Sequence, residues 1–226
     1  MQREGGNSLA DARRIPMLMP RLAVSSLICW LALSAASQQK DPASLPARDA
    51  HENFLAAAEV VADAARSKEI FGKKHPHAAG LLAVQLYFKN DNDQAISVDM
   101  DRVRLLLAPP GGSRQRLQIL PLEDAITMMA HPQPPNPNAS RKPRPFPIPR
   151  SGESRSKDWK KVAEIVRPLA LEMDIIPPRA TVHGYIFFDL DGKFHLVPHA
   201  SLYIPDLKFT QTGQALLFFE IPLAAK

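Results

Sequence analysis

Four apolar side chains at every second position, Leu82, Val84, Leu86 and Phe88, alternate with Ala83, Gln85, Tyr87 and Lys89. That period of two belongs to a half-buried β-strand, whose successive side chains point to opposite faces. The pattern recurs downstream. Ile96, Val98 and Met100 alternate with Ser97, Asp99 and Asp101, and Val103, Leu105 and Leu107 then take over in shifted phase, which predicts a bulge or a change of sheet near Asp101-Arg102. The C-terminal third reads HGYIFFDL, a turn at Asp191-Gly192, KFHLV, ASLYI and ALLFFEIPL, with Leu217, Phe219, Ile221 and Leu223 expected on one side of the last strand and Glu220 outside. LALEMDII and LQILPL are further extended segments. Short strands separated by proline and glycine turns predict a mainly β chain folded as an antiparallel β-sandwich.

Helices are few. NFLAAAEV reads as a strand or the start of a helix, followed by a short helix in ADAARSKEIFG that Gly72 stops; periodicity alone also fits one helix over 52–71. EDAITMMA is long enough for about two turns. Trp159, Val162, Ala163 and Val166 share one helical face.

At 226 residues and 45% hydrophobic composition the chain has material for one main domain, expected over residues 51–226. Residues 131–155 within it form a Pro-rich basic loop, since proline cannot donate the backbone bonds of helix or sheet. Such a loop is either a solvated insertion or an adhesive arm for an anionic polymer or a partner's aromatic groove. Residues 37–50, polar and Pro-containing, read as a flexible leader. Residues 1–36 read as a signal peptide: Arg13, Arg14 and Arg21 precede LAVSSLICWLALSAA, with Ser34 and Ala36 suited to signal peptidase. Translation is expected to start at Met17 or Met19, and cleavage is expected after Ala36 or Ser37. The alternative is an uncleaved membrane anchor. The expected location is therefore periplasmic or extracellular.

The only cysteine, Cys29, lies inside that apolar run and follows Ile28, an arrangement unlike a lipidation site. The mature chain would hold no cysteine, which removes disulfides, thiol catalysis and cysteine-ligated metals together. The net charge of +5 falls to 24 basic against 21 acidic residues without the first 36, too weak a balance for nucleic acid.

The most site-like run is FKNDNDQAISVDMD, with Asp91, Asp93, Asp99 and Asp101. A helix-loop-helix calcium site begun at Asp91 would place Ala95 at its fifth position, Ile96 at the turn glycine and Arg102 at the closing glutamate, so the pattern fails. The run reads as a hairpin tip with Asp99 and Asp101 on the solvated face beyond it. His195 and His199 have the spacing of a helical zinc pair, but Pro198 opposes a helix, and along a strand they would stand about 13 Å apart. Met128, Met129 and His131 offer soft metal ligands, though paired methionines on a short helix usually fill a core. His75 and His77 flank Pro76 and read as solvated. No G-x-S-x-G, H-E-x-x-H or phosphate-binding glycine loop occurs. No catalytic residue, metal ligand or cofactor is assigned.

The order GLLAVQLYFKNDNDQAISV, a Pro-rich middle, HGYIFFDL, ASLYIPDL and LLFFEIPL resembles an uncharacterised family of bacterial exported proteins with an immunoglobulin-like sandwich, over most of residues 53–223. The resemblance implies an opening strand before a short helix ending in phenylalanine, here Phe71, and departs at Ala83, where proline is common. It carries no catalytic residues. Two function classes follow: a non-catalytic envelope protein that binds an envelope protein or anionic polymer, or a metal-handling or hydrolytic protein whose site is assembled from scattered Asp and His. Membrane contact is expected only through an uncleaved signal segment.

Overall fold

The alternating run at residues 81–89 becomes the spine of the first sheet. A computed structural model describes residues 40–132 and 156–224. The signal segment 1–36 and nearly all of the Pro-rich loop lie outside them. β3 (Leu81–Asn90) bonds β2 (Phe54–Val61) on one side and β8 (Ala180–Asp189) on the other, and β1 (Arg48–His51) adds to β2. The order is β1-β2-β3-β8, antiparallel throughout.

The second layer contains β4 (Ile96–Val98), β5 (Arg104–Leu107), β6 (Gln115–Gln118), β7 (Ile175–Ile176), β9 (Ala200–Ile204), β10 (Leu207–Phe209) and β11 (Phe219–Pro222). They form one sheet ordered β11-β9-β5-β6 and a smaller one ordered β10-β4-β7. Two of the runs of chain that pass between these sheets bend sharply. One bends at the 3-10 turn Met100–Arg102, the other at Asp206, whose φ is 57°. An Arg102–Asp206 ion pair of 2.7 Å ties the bends together. The phase change read near Asp101-Arg102 is thus a change of sheet. Between the layers Leu82, Val84, Leu86 and Phe88 meet Ile96, Leu105, Leu202, Ile204, Phe219 and Ile221 in the main core. Each such buried side chain contributes about 1.5–3 kcal/mol of apolar transfer energy. The chain is mainly β, and this architecture fits a β-sandwich.

β3 departs from the half-buried expectation because its other face is covered too. Leu81, Ala83 and Tyr87 are as inaccessible as the core residues. Three helices cover one end of that face: α1 (Ala64–Phe71), α2 (Leu122–Ala130) and α3 (Lys157–Val166). α1 starts where the Asp63 carboxylate accepts the Arg66 amide at 2.9 Å and stops at Gly72, φ 79°. Phe71, Ile126, Met129, Trp159, Val162 and Val166 pack there with Val61, Ala83 and Phe187. Beyond α3 the chain crosses β8 at Gly184, where a Cβ would come within 2.6 Å of the Leu171 nitrogen.

Other expectations are corrected. Residues 40–50, read as part of a flexible leader, form a 3-10 turn at Pro42–Ser44 and then β1, and Leu45 packs with Ala57 and Tyr87. The Asn90–Gln94 run is no hairpin tip, because β3 and β4 belong to different sheets. KFHLV is a 3-10 turn, Phe194–His199, containing Pro198, which cannot donate to a ladder. LALEMDII contributes an isolated bridge from Ala170 to Tyr185 and the short β7. Leu217 is exposed rather than inward, because the extended strand begins only at Phe219.

Candidate functional site

The aspartates of the opening run are engaged by basic residues. Asp91 lies 3.3 Å from the Lys89 ammonium and Asp93 2.8 Å from the Arg179 guanidinium. Asp99 and Asp101 are exposed. The junction is organised by the asparagines instead. Fully buried Asn90 donates to the carbonyls of Gln94, Ile176 and Pro177 and accepts the Asn92 amide at 3.0 Å. Asn92 in turn donates to the carbonyls of Glu52 and Asn53.

His75 and His77 lie near each other, with ring centroids 6.3 Å apart, but the second histidine pair does not converge. His195 and His199 are exposed on a 3-10 turn, where residues four apart are rotated by about 120°. Met129 is core, and the His131 Nε2 lies 3.2 Å from the Ser156 hydroxyl. His75 and His77 are half-buried rather than solvated. His77 stacks on Phe194 at 4.0 Å, and His75 Nδ1 lies 3.2 Å from the Ser67 hydroxyl and 3.4 Å from the Ala78 amide. That amide requires Nδ1 to accept, so the serine hydroxyl donates to it. Burial, with His77 and Lys68 nearby, holds the His75 pKa below its ordinary value. Ser67 is completely inaccessible, so this pair links α1 to the 3-10 turn Pro76–Ala79 and offers no nucleophile. Among the described residues no group of three His, Cys, Asp or Glu has the arrangement to hold a metal ion.

One polar row crosses the covered face of the first sheet. Glu59, Gln85 and Tyr185 stand side by side on β2, β3 and β8. The Glu59 Oε1 accepts from Lys40 at 2.7 Å and Arg66 at 2.6 Å, and the Tyr185 hydroxyl donates to Gln85 at 3.1 Å. Burial works to raise the Glu59 pKa, but the bonds from Lys40 and Arg66 outweigh it and leave the carboxyl below its usual range. Burial, aided by the Glu59 charge, pushes the Tyr87 phenol up to about 12. This row is a clasp joining residue 40 to α1 across the sheet. A lone glutamate in the apolar FLAAAEVV was the available sequence signal.

Among the described residues no helix or segment covers the outward face of β11-β9-β5-β6. Register and alternation place Glu220, Tyr203, Arg104 and Gln118 in one row and Pro222, Ser201, Leu106 and Arg116 in the next. Phe218 continues this face beyond Glu220, its ring 5.4 Å from that of Tyr203. Leu217 and Phe218 are 63% and 53% exposed. Arg104 donates to the backbone carbonyls of Asp101 and Val103, while Glu220 accepts from Ser201. Two aromatic rings, with Arg104 beside Tyr203 and Arg116 two strands away, are residue types in which protein interfaces are enriched. Sequence reading missed this face because it counted Leu217 as core and passed over Tyr203.

No family model and no curated protein matches the chain. Among solved structures it is similar to one described as the crystal structure of a functionally unknown protein from Listeria monocytogenes EGD-e, with 14% sequence identity over 79% of this chain and 82% of that one and a TM-score of 0.36. A likeness of that size carries neither family nor function.

Proposed function

We propose that this chain is an exported, non-catalytic envelope protein, built on an immunoglobulin-like sandwich, that binds a protein partner. Export is supported by the order of Arg13, Arg14 and Arg21, the apolar run and the small residues Ser34 and Ala36. The observation that carries the binding reading is the outward sheet face, open among the described residues, on which Tyr203 lies near Phe218 and in the same row as Arg104, with Arg116 two strands away. A partner suited to it presents apolar side chains ringed by carboxylates, since the rings supply contact area and the guanidinium groups meet the acidic rim. The metal-handling or hydrolytic alternative finds less support, because Asp91 and Asp93 are ion-paired, His75 is bonded to Ser67 and His77 is stacked on Phe194.

A photo-crosslinking residue at position 218, in cells producing the full chain, tests the binding. A discrete adduct that disappears when Arg104 and Arg116 are both replaced by glutamate is expected. An adduct indifferent to that charge reversal, or no adduct, overturns the reading. The mass of the exported protein should place its start at Ser37 or Gln38, and retention of Trp30 would contradict export with cleavage.

A further inference from the structure

β1 and β11 are outer strands of different sheets that lie against each other, and side chains rather than a backbone ladder join them. The Asp49 carboxylate accepts the Glu220 amide at 3.1 Å, and the Glu52 carboxylate accepts the Leu217 amide at 2.8 Å. His51 Nε2 lies 3.2 Å from the Phe218 carbonyl, to which only a protonated nitrogen donates, and its ring stacks on Phe219 at 3.8 Å. Three side chains within four residues of β1 and its turn thus fix the backbone from 217 to 220.

The clamp is itself held. Glu52 and Asn53 form a two-residue turn with φ of 53° and 55°, the left-handed pair that a tight hairpin requires, and the Asn92 amide bonds both their carbonyls. The backbone under Leu217 and Phe218 is therefore fixed while their side chains stand in solvent. Guarding a strand edge needs only the charged groups and Pro222. It gives no reason to fix two large apolar side chains outward, whereas a docking surface does: ordering them beforehand lowers the entropy lost on binding. We infer that Asp49, His51 and Glu52 are positioning residues that hold the Leu217–Phe218 tip of the binding face in its docking geometry. This rests on the proposed binding of a protein partner.

Glu52→Ala and Glu52→Gln in the full chain separate the possibilities, because glutamine retains an oxygen to accept the Leu217 amide. Two readouts are taken: exchange of the Leu217 amide by NMR, and adduct yield from a photo-crosslinking residue at position 203. In Glu52→Ala the exchange should accelerate roughly tenfold, the factor that one hydrogen bond of ordinary strength confers, and the adduct should fall with it. Glu52→Gln should restore both. Unchanged exchange in Glu52→Ala, or faster exchange with full adduct yield, overturns the positioning role. If the unaltered chain gives no adduct, the binding reading fails and takes the positioning role with it, while the exchange still reports whether the clamp exists.

Discussion

The two four-stranded sheets, β1-β2-β3-β8 and β11-β9-β5-β6, turn outward very different faces. On the first, Val61, Ala83 and Phe187 lie under three helices, Ala57 and Tyr87 lie under the segment containing Leu45, and the one ionised row between them is clasped by Lys40 and Arg66. On the second, Phe218 and Arg116 are exposed and Tyr203, Leu106 and Arg104 are half-buried, with no covering element among the described residues. Covering an apolar face stabilises a fold. Leaving aromatic rings uncovered on a rigid sheet contributes nothing to it, and large exposed apolar patches mark interaction surfaces. The first outer face thus contributes to stability, and the second is the face on which the proposed binding rests.

The comparison breaks most readily at Phe187, buried beneath the helices and 5.9 Å from the Phe71 ring. Phe187→Ala should cost about 3–5 kcal/mol through lost burial and the cavity left behind, read from urea unfolding. A cost below about 1 kcal/mol would mean that the helical layer is not part of the cooperative fold. Asn90→Ala should cost about 2–3 kcal/mol, because four backbone groups lose their partner in a buried junction. Replacing Asp91 and Asp93 together by asparagine should change stability by no more than about 1 kcal/mol, since both are exposed ion pairs. The reverse ranking would return the aspartates to the centre of the junction.

That ranking also marks how far the sequence was legible. Period-two alternation located β3, β8 and β9 because their buried face is continuous, and the small face of Trp159, Val162, Ala163 and Val166 located α3 for the same reason. Partner choice was not legible. Nothing in NDND says that the next strand joins another sheet, and the weight fell on conspicuous charges when neutral Asn90 was the buried connector. The bare face was hidden for a related reason. Outward residues of a strand look alike whether helices cover them, as at Tyr185, the Leu45 segment does, as at Tyr87, or no described element does, as at Tyr203.

A smaller effect is expected in the helical layer at acid pH. The folded-state pKa of His75 is held below its unfolded value, so the unfolded chain binds the proton more readily. The stability this histidine contributes is present above the ordinary histidine value of about 6.5 and is lost as pH falls through the lower folded value. His75→Asn retains a capping oxygen without titrating, so it should flatten that part of the pH profile of the melting temperature. An equal slope in both proteins would remove His75 from the account. The smallest effect on stability belongs to the bare face: Leu217→Ser with Phe218→Ser should stay within about 0.5 kcal/mol of the parent.

Because Cys29 is the only cysteine, single cysteines placed elsewhere report their own surroundings, and they test the division between the two outer faces most directly. Cysteines at Leu106, Arg116, Tyr203 and Phe218 sample the bare face, and cysteines at Lys73 and Lys160 sample the exposed surface of the helical side. Maleimide labelling rates are compared between the purified protein and the protein in intact cell envelopes. The bare-face positions should label several-fold more slowly in the envelope, with Lys73 and Lys160 positions unchanged. Equal rates at all positions, or slowing confined to the helical side, would contradict the assignment of recognition to the second sheet.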